Sequence, residues 1–346
     1  RTSARSPLSM HGLGAAALLL VGARAASALV LSAPLRRVAR RTGALGMAAS
    51  SWEPGLAPDL LCLDFDGVVC DSRLETTTSG YMALRSEWAS FAEEHGLGEL
   101  PPQWFLDALG VLRPVVETGY ENMLLGRLVV EERAARGGGD DVDGAALGSA
   151  VAARWGHAER DRLLDDVLGV HSLELVQSFG SVRDGRMAED LARWAGENRL
   201  YPVGRRLVLH AAAAAAGSAP AVKIITTKQE RFVQAILEHN GLPPFPEDDL
   251  FDLLCGPKTE VLKQLATHHA ARYGREPRVV FVEDRVETLL KVAEDPELAG
   301  VELLLVDWGY NTPEQRAVAE AHERMHVISE ADASRLADSW FGAPAT

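Results

Sequence analysis

The sequence predicts an α/β fold: a three-layer, Rossmann-like parallel sheet core, interrupted after its first strand by an inserted all-helical module. Three observations predict it. Short apolar runs recur at Leu60–Leu63, Val222–Ile225, Val279–Val282 and Val301–Val306, too short for helices and suited to strands buried on both faces. From about Tyr201 onward such runs alternate with helical patterns, as in parallel sheets flanked by helices. Leu60–Leu63 has no partner near it in sequence, so it joins the later sheet and the intervening stretch interrupts the domain.

Taken in order, residues 1–52 are rich in Ala, Ser, Leu and Arg, with seven Arg and no Asp or Glu. That is the composition of a targeting presequence. Gly12–Gly22 makes a short apolar run, and Pro34–Gly46 is Arg-rich and acid-free. The pairing resembles bipartite plastid presequences, with mitochondrial import as the alternative. The core is expected over 53–72 plus 201–346, and the helical module over 73–200. Within the module, apolar spacings of three and four predict helices at Gly80–His95, Trp104–Leu112, Glu117–Arg136, Leu147–Leu168 and Ser172–Trp194. Arg136–Gly148 reads as a loop. In the core, helices are expected at Val203–Ala216 (stopped by Gly217), Phe232–Asn240, Glu260–Ala271 and Glu287–Ala293, with a further strand at Leu250–Leu254.

With 346 residues there is material for one large domain or two. The first 52 positions hold seven of the 35 basic residues and none of the 49 acidic ones, so the remainder carries 28 basic against 49 acidic residues. Such a body suits neither nucleic acid nor an anionic membrane. The three cysteines, Cys62, Cys70 and Cys255, form no CxxC and no zinc spacing, and packing as small hydrophobes is their expected role. His268 and His269 have no metal partners in view and read as surface residues.

The first strand stops at Asp64-Phe65-Asp66-Gly67. Asp64 and Asp66 share one side of an extended chain, and Gly67 lets the backbone turn close to a ligand. Two carboxylates aimed at one point call for a cation, and a hard one such as magnesium suits oxygen donors. An Asp can also attack phosphorus while a neighbouring carboxylate shuttles the proton. The same tetrad also suits a plain turn that closes a strand.

Ligands of parallel sheets gather at the carboxyl ends of the strands. After Val222–Ile225 come Thr226, Thr227 and Lys228; after Leu250–Leu254 comes Gly256-Pro257-Lys258-Thr259; after Val279–Val282 come Glu283 and Asp284, then Glu287. Singly, each has an ordinary role: a strand-end Thr, a solvated first-turn Lys, a helix N-cap. Jointly they supply a nucleophile, a hydroxyl, a cation and an acid cluster on one face.

This order resembles the haloacid dehalogenase superfamily, whose four motifs are matched by Asp64-Phe65-Asp66-Gly67, Thr226, Lys258 and Glu283-Asp284. The long interval after the first motif is similar to an inserted helical cap. The resemblance covers roughly Pro58 to Tyr310. It implies Asp64 as nucleophile and magnesium ligand, and Asp66 as general acid/base binding metal through its carbonyl. Thr226 and Lys258 would hold the phosphoryl group, and Glu283 with Asp284 would complete the metal site. At finer grain, Arg113–Glu121, Ile225–Gln229, Gly256–Lys263 and Val306–Thr312 resemble an uncharacterised branch from plants, algae and cyanobacteria.

Asp66 favours phosphatase or phosphomutase chemistry within that superfamily. The expectation is a magnesium-dependent phosphatase acting on a small phosphate ester, such as a sugar phosphate, through an aspartyl-phosphate. A phosphomutase and a non-catalytic phosphatase-like binding protein are the alternatives. Arg113, Glu117 and Tyr120, spaced four and three apart, fit one helical face over the site. There Arg113 and Glu117, with Thr227, are candidates for binding substrate, Arg113 through a second phosphate or a carboxylate. Alternatively, Arg113 and Glu117 form a solvated pair. Trp308 and Tyr310 are expected to pack.

Overall fold

A computed structural model describes residues 56–139, 142–213 and 220–342, so the expected presequence and the expected stop at Gly217 lie outside the described residues. Six strands, β1 (Leu60–Leu63), β4 (Ala221–Ile225), β5 (Leu250–Phe251), β6 (Val279–Glu283), β7 (Glu302–Val306) and β8 (Met325–Ile328), form one parallel sheet ordered β5-β4-β1-β6-β7-β8. The first strand in sequence is therefore central. Leu60 pairs with Ala221 on one side and Val279 on the other, across gaps of more than 150 residues.

Alternation along the strands divides the core into two faces. Leu61, Leu63, Ile224, Val280 and Leu304 pack against helices α8 (Pro202–Ala213), α9 (Glu230–His239) and α13 (Glu330–Phe341). Leu60, Cys62, Phe281, Leu303 and Leu305 pack against α10 (Lys258–Tyr273), α11 (Val286–Glu294) and α12 (Pro313–Glu320). Helix–sheet–helix is the three-layer arrangement that the sequence predicts. β8, α12 and α13 complete it beyond the last strand picked out from sequence.

The inserted module contains α1 (Arg73–Glu87), α2 (Ala89–Glu94), α3 (Gln103–Leu112), α4 (Glu121–Ala135), α5 (Gly144–Ala152), α6 (His157–Arg162) and α7 (Ser172–Gly196), the last bent at Asp190. Its own core is built on Tyr81, Phe105, Leu109, Met123, Leu125 and Leu147. The chain passes between sheet and module at β2 (Cys70–Asp71) and β3 (Arg199–Leu200), which pair antiparallel as a two-stranded ribbon.

Several elements differ from expectation for local reasons. The Leu250–Leu254 run is a strand only to Phe251, because the Asp252 carboxylate accepts the Leu254 N–H and turns the chain into a 3₁₀ turn over Leu253–Cys255. The single helix expected over Leu147–Leu168 is interrupted at Gly156. The helix expected from Gly80 starts at Arg73 and breaks at Trp88. The helix expected from Glu117 begins at Glu121, whose carboxylate accepts the N–H groups of Glu117 and Thr118 and holds them outside it.

Candidate active site

Asp64 sits where β1 ends. Its N–H still donates to Val282 O at 2.9 Å, so the sheet fixes its backbone. Directly afterwards the chain reverses: Val69 and Cys70 N–H both donate to Phe65 O, and Gly67 N–H donates to Cys70 O. Gly67 has φ 86°, and a Cβ there would stand 2.0 Å from Asp284 Oδ2. Only glycine allows this turn to approach the β6 end so closely.

Asp64, Glu283 and Asp284 are all buried and present carboxylate oxygens within 4.8 Å of one another. Lys258, at the first turn of α10, places Nζ 2.8 Å from Asp64 Oδ1 and 2.9 Å from Glu283 Oε2. Burial opposes its charge, but Asp64 and Glu283 outweigh burial and hold its pKa above the ordinary lysine value. Burial, then the charge of Asp64, push the Asp284 carboxyl above the ordinary range; burial, despite Lys258, does the same to Glu283. Three crowded acids against one contacting ammonium leave room, electrostatically, for another cation. Glu287, expected to join this cluster, does not: its Oε1 accepts from Gln315 Nε2 at 2.8 Å, because in the first turn of α11 it faces α12.

Thr226 is buried at the end of β4, where its hydroxyl accepts the Lys228 N–H at 3.1 Å. The Thr227 hydroxyl donates to Glu117 O at 3.2 Å, linking core to module. Lys228 is fully buried, with Nζ 3.3 Å from Asp66 Oδ1 and 3.6 Å from Glu75 Oε2. Glu75 in turn accepts from Arg183 through both oxygens at 2.9 and 2.7 Å, from Ser79 at 2.7 Å and from Trp194 Nε1 at 3.0 Å. Burial raises its pKa, but Arg183 and Lys228 prevail and bring it down to about 2. A buried charge network thus backs the Asp66 carboxylate. Lys228 was visible at a strand end; Glu75 had no local signal.

Arg113, Glu117 and Tyr120 do not share a helical face, which corrects the expectation. Arg113 opens a 3₁₀ turn over Arg113–Val115 that contains Pro114, and the backbone at Val116 is extended. The chain leaves helical geometry at Val116 and α4 opens only at Glu121, so i,i+4 spacing has no meaning here. Nor do Arg113 and Glu117 pair. The Arg113 guanidinium stacks 3.8 Å above the Tyr310 ring, and the Glu117 carboxylate meets Lys291 Nζ at 2.9 Å. Tyr310 does more than pack: its N–H donates to Asp284 Oδ2 at 2.7 Å, and its hydroxyl joins Ser72 N–H at 2.7 Å to Asp71 Oδ1 at 2.8 Å. One residue therefore touches the acid cluster, the ribbon and the module's Arg113. Trp308 packs edge-on against Tyr201.

Cys70 is fully buried, and burial pushes its thiol well above the ordinary range, so it is inert packing. Cys62 is likewise buried and pushed up to about 12. Cys255, expected to pack, is exposed on the 3₁₀ turn after β5. His268 is exposed, whereas His269 is half-buried against Tyr273, 3.9 Å from Asp59.

A cavity of about 400 Å³ opens between sheet and module. Its wall includes Asp64, Asp66, Thr226, Thr227, Lys258 and Asp284 from the core, and Arg113, Glu117 and Asn122 from the module. The strand-end residues picked out from sequence thus converge on one chamber.

No family model and no curated protein matches the chain. Among solved structures it is similar to a haloacid dehalogenase-like family hydrolase from Streptococcus pneumoniae, at 15% identity over 82% of this chain and 97% of that one, with TM-score 0.41. A predicted phosphoglycolate phosphatase from Haemophilus somnus gives 12% identity, 81% and 95% coverage and TM-score 0.42. The Mycobacterium tuberculosis protein tyrosine kinase A gives 16%, 82% and 99%, and TM-score 0.39.

Proposed function

We propose that this chain is a magnesium-dependent phosphatase of the haloacid dehalogenase superfamily, hydrolysing a small phosphorylated metabolite through an aspartyl-phosphate on Asp64. One observation carries the reading: a carboxylate at the end of the central strand meets a buried lysine and two further buried acids in one chamber. Magnesium fits the donor set, since Asp64, Glu283 and Asp284 offer only carboxylate oxygens, and one contacting lysine does not balance three acids. Bound there, it would neutralise charge on the phosphoryl oxygens and the attacking carboxylate.

The protein's own groups divide the remaining work. Asp64 attacks phosphorus, and Asp66 gives a proton to the leaving alkoxide oxygen. Asp66 then takes a proton from the water that hydrolyses the acyl phosphate. Lys258 stabilises negative charge on the transferring group, and Thr226 with the backbone at the β4 end positions it. Lys228, anchored by Glu75, holds the Asp66 side chain in place.

Asp64→Asn tests the assignment. Turnover of p-nitrophenyl phosphate with magnesium should vanish while circular dichroism stays native; retained turnover overturns the reading. The partner is accordingly a small phosphate ester. The acidic body argues against nucleic acid, and among the described residues no helix is long and apolar enough to cross a membrane. The acid-free, Arg-rich first 52 residues support a plastid address, with the mitochondrion second.

A further inference from the structure

Two guanidinium groups line the chamber, Arg113 with no carboxylate partner and Arg285 with a distant one. Arg113 is 7% exposed, and its Nε has no hydrogen-bond partner. Among the described residues no carboxylate pairs with it; Asp66, Asp284 and Asp64 act on it only through space. Arg285, which directly follows Asp284, also has an unpartnered Nε, and its nearest carboxylate is Glu287 at 3.9 Å. Lys291 differs, being neutralised by Glu117 at 2.9 Å. Both arginines line the chamber that holds Asp64, one from the module and one from the core.

Burying a charged donor without a partner is costly, so the buried, unpaired Arg113, with the weakly paired Arg285 on the same chamber wall, points to an anionic ligand group. Transferred phosphoryl already has Lys258 and the β4 end. The chamber, at about 400 Å³, is near the small end for ligand sites, and its further walls mix polar Thr118, Asn122 and Thr288 with apolar Val116, Leu253 and Pro257. A neutral or apolar leaving group would leave the Arg113 guanidinium unmet.

We propose that the substrate is a small phosphate ester whose leaving group carries a second anionic group, a carboxylate or a phosphate, held by Arg113 and Arg285. Planar guanidiniums suit either acceptor. The inference rests on the phosphatase reading for the phosphoryl end and adds the class of the other end.

The test is calorimetric binding to full-length Asp64→Asn protein with magnesium, using matched esters. Glycerol 3-phosphate against 3-phosphoglycerate adds a carboxylate; glucose 6-phosphate against glucose 1,6-bisphosphate adds a phosphate. In at least one pair the anion-bearing member should bind about tenfold tighter or better, as expected for charge-assisted hydrogen bonds. Which pair discriminates names the anion. Adding Arg113→Gln or Arg285→Gln should erase most of that advantage, and Arg113→Lys should restore part of it. Equal affinity within both pairs overturns the proposal, as does an equal loss for both members of a pair, which would place the arginines on the transferred phosphoryl group. If Arg113→Gln does not fold, the wild-type contrast and Arg285→Gln still decide. Absence of p-nitrophenyl phosphate turnover by the wild type overturns the phosphatase reading instead; turnover without discrimination overturns only the second anion.

Discussion

Lys258 Nζ stands 2.8 Å from Asp64 Oδ1, so the proposed nucleophile already holds a cation before any ligand arrives. The same ammonium reaches Glu283, so it competes with a metal for two of the three acids. Lys258→Met should therefore tighten magnesium binding in calorimetry while lowering turnover by about 10²–10³-fold, the usual loss for one charge-stabilising donor. Weaker magnesium binding in the variant would contradict this picture.

Gly67→Ala should destroy the metal site without unfolding the sheet. The added methyl would stand 2.0 Å from Asp284 Oδ2 and 2.9 Å from the Tyr310 ring, at a backbone φ of 86° that alanine resists. Calorimetry should show lost magnesium binding and assays lost activity, with a native circular dichroism spectrum. Normal metal affinity would mean that the turn does not press on Asp284.

Glu75→Gln should destabilise the protein by about 3–5 kcal/mol, since it strands the Arg183 charge in the interior. Because the Glu75 pKa is lowered from 4.5 to about 2, the carboxylate contributes stability above pH 4.5 and loses it as pH falls through about 2. Denaturant melts should show the gap between wild type and variant shrinking across that window. A pH-independent gap would assign the loss to packing alone.

Tyr310→Phe keeps the ring under Arg113 and the N–H on Asp284 but leaves the buried Ser72 N–H without its acceptor. A loss of about 1–3 kcal/mol in chemical denaturation is expected. Magnesium affinity should change little, because the contact to Asp284 is a backbone one.

What was legible in the sequence was local. Asp64, Thr226, Lys258 and Asp284 each follow a strand or open a helix, and the parallel-sheet rule alone assembles them. Tertiary partners were not legible. Glu75 meets Arg183 and Trp194 across 108 and 119 positions, and no pattern near any of the three announces it. Tyr310 acts on Asp284 through its main chain, which side-chain identity does not encode. Arg113 misled through spacing alone, because the chain turns extended at Val116 and no helix links Arg113 to Tyr120. β8 escaped notice because only Met325 and Ile328 of its four residues are buried.

The ribbon of Cys70–Asp71 with Arg199–Leu200 brings the two junctions of the insertion side by side. A segment that leaves and returns at adjacent points need not distort its host's strands at the seam, and lengthening it adds little closure cost. The sheet could accept a differently sized or differently shaped graft at the same seam. On the function proposed above, the strand-end acids and the module's Arg113 wall of the chamber could then be varied separately.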